Sequence, residues 1–138
     1  MVEIRPDFEG DFTAAVGVRD LWFEGGRSRC SLDVQERHHN PGGILHGGVV
    51  FTVADAGMGA AVFSTLSKGE RTTSVEVQVR FLRPVVNGRL TAESAVVHRG
   101  ERIATTKAEL TDEQGRLIAI ATGTFYISPL SGSHDRKP

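Results

Sequence analysis

The chain has 138 residues, with 16 Lys or Arg against 17 Asp or Glu and a formal net charge of −1. That length suits one domain with a real core, and the charge balance argues against a nucleic-acid partner held by bulk electrostatics. The single cysteine, Cys30, excludes an intrachain disulfide and is compatible with a reducing compartment. No stretch reaches the ~18 uninterrupted apolar residues of a membrane span, and Met1 to Asp7 lack the apolar core of a signal peptide. The expectation is a soluble, cytoplasmic protein with no membrane partner.

Val16 to Phe23 and Ser28 to Gln35 are short, partly alternating segments on either side of Glu24-Gly25-Gly26-Arg27, a pattern that predicts an antiparallel hairpin. Arg37 to Gly43 is a polar loop containing Pro and Gly. From Leu45 to about Leu66 the chain can form five or six turns of helix, with Gly69 of Lys68-Gly69-Glu70 as its C-cap. The period then changes to two. Val75, Val77, Val79 and Phe81 fall on one face, Ser74, Glu76, Gln78 and Arg80 on the other, and Arg83-Pro84 closes the strand. Leu90 to His98, Ile103 to Leu110 and Leu117 to Ile127 are three more strands, separated by turns at residues 99–102 and 112–115. Ser128 to Pro138 is expected to be a disordered tail after a single domain over residues 1–127.

Two strands, one long helix and four strands make an α+β protein with a sheet of five to six strands, in which the four consecutive strands form a mostly antiparallel meander with the helix packed on one face. One helix cannot cover both faces of such a sheet, and Gly57, Gly59, Ala60 and Ala61 would allow close backbone approach. A lone copy would leave apolar surface in water, so self-association is expected.

Asp55 is the only acidic residue between Ile44 and Phe63, and no Lys or Arg accompanies it there. An unpaired carboxylate is costly to bury, so a fold excludes one unless it has partners or a task. A solvent-facing Asp on an amphipathic helix would be cheap, but Ala54 and Ala56 flank it and no polar stripe surrounds it. A functional carboxylate is the better reading.

With Asp55 come Asn40-Pro41-Gly42-Gly43-Ile44-Leu45-His46-Gly47-Gly48, Ser74-Val75-Glu76, Arg80-Phe81-Leu82-Arg83-Pro84-Val85, Gly88-Arg89-Leu90, Gly115-Arg116-Leu117-Ile118-Ala119 and Gly123-Thr124-Phe125. From about Val16 to Ile127 this pattern resembles the hotdog fold, and within it the PaaI-like acyl-CoA thioesterases of the phenylacetic acid degradation type. His-Gly-Gly alone is a weak signal; an Asn six residues before it and an Asp nine residues after make it specific. The resemblance implies a curved antiparallel sheet wrapped around one long central helix. It also implies hydrolysis of the thioester between an acyl group and coenzyme A, without metal, in dimers or tetramers built as dimers of dimers. Coenzyme A would be part of the substrate and no cofactor would be needed.

Thioester hydrolysis needs a polarised carbonyl and an activated water or nucleophile. Backbone amides at a helix N-terminus are unpaired and lie at the positive end of the macrodipole, and Gly47 has no side chain to keep a carbonyl oxygen away. The resemblance assigns the Gly47 amide to this oxyanion role and adds Asn40 as a side-chain donor; an Asx turn ahead of Pro41 is the other reading of Asn40. Gly48 would lie beside the substrate, and for Gly47-Gly48 a tight turn entering the helix is compatible with both roles. Asp55 is the candidate general base or nucleophile. Ser74, or Thr73 beside it, would orient the water through Asp55. Gly47 and Asp55 are about 12 Å apart along one helix, so the site is expected to be shared between two antiparallel helices of a dimer.

His46 could be a base, since imidazole titrates near neutral pH, but the resemblance gives it a supporting role in the loop. His38-His39 with His46 lack the Cys or second spaced pair that would complete a zinc site, so no metal is expected. Residues 80–116 hold seven Lys or Arg against five acids, and some could meet coenzyme phosphates or simply face solvent. Two rivals remain. A non-catalytic acyl-CoA sensor would leave Asp55 without a purpose, and an acyl thioester hydratase or dehydratase uses a different His motif. The acyl group stays open between aryl-acetyl, benzoyl and medium-chain.

Overall fold

A computed structural model describes residues 11–130. A five-residue helix, Phe12–Val16 (α1), starts at Asp11, whose side chain accepts the Ala14 N–H, and ends at Gly17 with φ of 113°. The first strand of the hairpin therefore begins at Arg19 rather than Val16. Arg19–Glu24 (β1) and Arg27–Asp33 (β2) flank Gly25 and Gly26, whose φ values of 60° and 81° are those of a tight primed turn. A 3-10 turn at Glu36–His38 and a loop follow, and then the long helix Gly47–Phe63 (α2).

The long helix is shorter at both ends than the apolar run suggests. His46 caps its start. At its end the Ser64 and Thr65 hydroxyls donate back to Ala61 O and Val62 O at 2.7 and 2.6 Å, and such local bonds compete with helix propagation. Gly69, expected as the cap, instead turns the chain into the next strand with φ of 86°. Arg99 closes this corner, donating to Thr65 Oγ1 and to Glu70 at 3.1 and 3.0 Å.

Four strands follow: Glu70–Phe81 (β3), Arg89–Arg99 (β4), Ile103–Thr111 (β5) and Leu117–Pro129 (β6). The sheet has six strands in the order β1-β2-β4-β5-β6-β3, every pair antiparallel. Only β4, β5 and β6 form the expected meander; β3 crosses to the far edge and pairs with β6. β6 also continues past Ile127, with Ser128 and Pro129 opposite Arg71 and Glu70. The rest of the expected tail, residues 131–138, lies outside the described residues. Helix α2 touches all six strands, which requires the sheet to curve around it. This is the hotdog fold.

The core lies between α2 and the concave face, with Leu32, Val53, Met58, Leu90, Leu110, Phe125 and Ile127 fully or almost fully buried. Helix and sheet approach closely at Gly57: a Cβ there would stand 2.7 Å from Ser94 Oγ, and its carbonyl accepts from Ser28 Oγ. Gly57 thus packs against its own sheet. Cys30 lies under the same stretch, its thiol pushed up to about 12 by burial, which leaves it inert as a nucleophile.

One irregularity positions the site. In β3 the register slips between Ser74 and Glu76, so Val75 is a bulge and stands 61% exposed. The expected face of Val75, Val77, Val79 and Phe81 is therefore broken. Val77 and Val79 pack on the core, and the bulge turns Ser74 to their side, toward α2. Among the described residues no helix is long and apolar enough to cross a membrane.

Candidate active site

The loop ahead of α2 is fixed by its own polar groups. His38 is buried; its Nδ1 accepts the Gln35 N–H at 2.9 Å and its Nε2 meets Val16 O at 2.6 Å. Its carbonyl receives the His46 N–H at 2.8 Å. His39 Nε2 meets Val86 O at 2.7 Å, and the Leu45 N–H donates to Val85 O at 2.7 Å. These contacts tie the loop to the segments that precede β1 and β4. All three histidines are thus engaged locally, and among the described residues no three His, Cys, Asp or Glu side chains gather as a metal site would need.

Asn40 forms an Asx turn. Its Oδ1 accepts the Gly42 and Ile44 N–H groups at 2.8 and 3.3 Å, and its backbone closes the loop through Ile44 O and the Gly43 N–H. Of the two sequence readings of Asn40, this local one is present in the chain. Oδ1 is committed inward as an acceptor, and Nδ2, the donor of this side chain, is left for a substrate.

His46 has φ −65° and ψ 135° and places its Nδ1 2.8 Å from the Gly48 N–H, which assigns its ring proton to Nε2. The Gly48 N–H is therefore used inside the chain. The Gly47 N–H finds no acceptor among the described residues, while the carbonyl of His46 already takes the Val49 and Val50 amides. The Phe81 ring packs on Gly47, where a Cβ would stand 3.2 Å from Cζ. The helix start thus presents one open amide under an aromatic edge, at the positive end of a 17-residue helix.

Asp55 is two turns further on and half-buried. Its Oδ1 accepts from Ser74 Oγ at 2.8 Å. Both residues line a cavity of about 1060 Å³ that opens along α2 between the two edges of the curved sheet. Thr73 is exposed and alternates away from Asp55. Thr72, the first of the three hydroxyls that Thr72-Thr73-Ser74 offers at this position, lines the cavity, and its buried Oγ1 has no partner among the described residues. The signal was available: once Ser74 faces Asp55, the residue two positions earlier shares its side.

One chain therefore brings Asp55 and Ser74 together, and separately holds Asn40, His46, Gly47 and Gly48 at the helix start. It does not join the two groups, which stand about 12 Å apart on one helix.

The profile of the Thioesterase superfamily matches residues 42–119 of this chain. A Saccharolobus solfataricus protein whose name proposes an esterase is 33% identical over 112 residues, 81% of this chain and 74% of that protein. The 1,4-dihydroxy-2-naphthoyl-CoA hydrolase of Listeria monocytogenes is 26% identical over 112 residues, 81% of this chain and 91% of its own length. Among solved structures, a mutant of the phenylacetic acid degradation protein PaaI from Thermus thermophilus superposes with a TM-score of 0.76. It is 25% identical and covers 83% of this chain and 96% of its own.

Proposed function

Because this chain belongs to the Thioesterase superfamily, we propose that it is an acyl-CoA thioesterase, hydrolysing an aryl or medium-chain acyl-CoA to the free acid and coenzyme A. The observation that carries this reading is the split site. A carboxylate held by a serine hydroxyl lies in a cavity, and an amide without an acceptor among the described residues lies at the start of the same helix, too far away to serve the same carbonyl. Two copies related by a two-fold axis remove the separation, with Asp55 of one meeting Gly47 of the other, in two equivalent sites.

In this mechanism the thioester oxygen accepts the Gly47 N–H of one chain, with Asn40 Nδ2 as a second donor. Asp55 of the other chain either takes a proton from the attacking water or attacks the carbonyl itself, and Ser74 orients it. As the tetrahedral oxyanion collapses, the thiolate of coenzyme A leaves and is protonated. His46 keeps the loop in shape by capping Gly48. No metal or cofactor takes part. A dimer is the smallest active unit, and a dimer of dimers suits the same reading. The relatives' names support the reaction type, and the CoA hydrolase among them supports the leaving group.

The test uses two inactive variants. Asp55→Asn removes the base. Gly47→Pro removes the N–H at the first helical position, where proline is well tolerated, and the ψ of 135° at His46 already suits a following proline. Phe81 is 56% exposed and free to yield to the ring. Each variant alone is expected to lose about 100-fold or more in kcat. Co-assembled in equal amounts, half of the dimers are mixed and each has one intact site, which restores about a quarter of wild-type activity. A mixture as inactive as its parents, or an active Asp55→Asn protein, refutes the shared site.

A further inference from the structure

Resting on the thioesterase reading above, we propose that His38 is a positioning residue, whose imidazole anchors the loop that carries both carbonyl-polarising donors, Asn40 and the Gly47 amide. That loop is a small hairpin. His39 bridges Leu45, the Asn40 N–H donates to Ile44 O at 2.7 Å, and the His46 N–H donates to His38 O at 2.8 Å. One arm carries Asn40 at its tip, and the other runs through the His46 cap straight into Gly47. His38, paired with His46, is where the two arms meet.

The hairpin is held on two sides. On one, the Leu45 N–H and half-buried His39 meet Val85 O and Val86 O, ahead of β4. On the other stands His38, only 3% exposed. A backbone N–H can only donate, so the Gln35 contact makes Nδ1 the acceptor and leaves the ring proton on Nε2. Nε2 then donates to Val16 O at 2.6 Å, at the end of α1, while exposed Arg37 reaches Ala15 O and Val16 O at 2.8 and 3.2 Å. The two ring nitrogens have separable tasks. Nδ1 serves the turn that His38 belongs to, and Nε2 ties the hairpin to a different element. Donors of this kind work only when held where charge develops, and a misplacement of about 1 Å can cost about 100-fold in rate. Loosening the anchor therefore weakens contacts to the transition state and lowers kcat more than it raises KM.

The experiment separates the two nitrogens. In His38→Asn, Oδ1 takes the place of Nδ1 and keeps the Gln35 N–H, but the side chain stops short of Val16 O. In His38→Gln, the longer amide takes the place of Nε2 and keeps Val16 O, while Gln35 loses its acceptor. Both variants and wild type are assayed for kcat and KM on decanoyl-, benzoyl- and phenylacetyl-CoA, and exchange of the His46 and Gly48 amides is followed by NMR. His38→Asn should lose about 10- to 100-fold in kcat with KM within about 2-fold, and both amides should exchange about 10-fold faster. His38→Gln should stay within about 3-fold of wild type in every measurement. Wild-type kcat in His38→Asn, failure of that variant to fold, a loss confined to KM, or no rescue in His38→Gln overturns this inference while leaving the thioesterase reading intact. A wild-type protein that hydrolyses none of the thioesters ends both.

Discussion

At one edge of the sheet, β1 is six residues long, is irregular between Arg19 and Trp22, and carries Asp20 at a φ of 55°. Its flank bristles with ion pairs: Arg19 to Asp33 at 3.0 Å, Arg89 to Asp33 at 2.9 Å and Arg89 to Asp20 at 3.3 Å. At the other edge, β3 is twelve residues long, and not one of them is buried in the single chain. Natural sheets blunt an edge with short strands, bulges and charge, so β1 is defended against pairing. β3 also has a bulge, but that bulge aims Ser74 at Asp55. This longer edge and the candidate catalytic carboxylate lie on the same side of the molecule, so in the dimer proposed above assembly and chemistry share a surface.

Substitutions at the two edges should therefore behave very differently. Val75→Lys puts a charge on the exposed bulge of β3. It is expected to yield a monomer by analytical ultracentrifugation and to lose about 100- to 10,000-fold in kcat, as if the base itself were gone. A fully active monomer would separate the edge from the chemistry. Ser74→Ala leaves the edge in place and removes only the hydroxyl that holds Asp55. It should cost about 10-fold in kcat with little change in KM, measured under saturating substrate.

The smallest effect belongs to β1. Arg89→Met should leave assembly and turnover unchanged and lower Tm by less than about 4 °C, because these pairs are solvent-exposed. Hydrogen bonding from Arg89, aided by the nearby Arg19 charge, holds the Asp33 carboxyl below its usual range. That contribution is present at neutral pH and is lost as pH falls through the lowered value, so the Tm difference between wild type and Arg89→Met should vanish in acid. A difference that persists there would assign it to packing of the arginine stem.

Much of the architecture was legible because it is written in local patterns. The small, apolar run of α2 and the alternation of β5 report which faces meet the core without reference to distant residues. Asp55 stood out for the same reason, as one carboxylate among alanines and valines. The elements that sequence reading misplaced depend on pairing across the sheet. Val75 looked like an inward valine until the β6 register made it a bulge. Thr72 is one of three consecutive hydroxyls, and only the bulge decides which of them face α2.

By itself, then, the sequence determined the long helix, the carboxylate within it and most of the strands, since periodicity and composition act over a few residues, and its motifs supplied the resemblance to the hotdog fold. Tertiary structure alone decided that β3 leaves the meander for the far edge beside β6, that Ser74 rather than Thr73 reaches Asp55, and that the Gly47 amide is left open under Phe81. Those outcomes depend on which backbone groups find partners dozens of residues away. A hydrogen-bond ladder that shifts by one residue reverses every side chain beyond the shift, and no local pattern announces where it will do so.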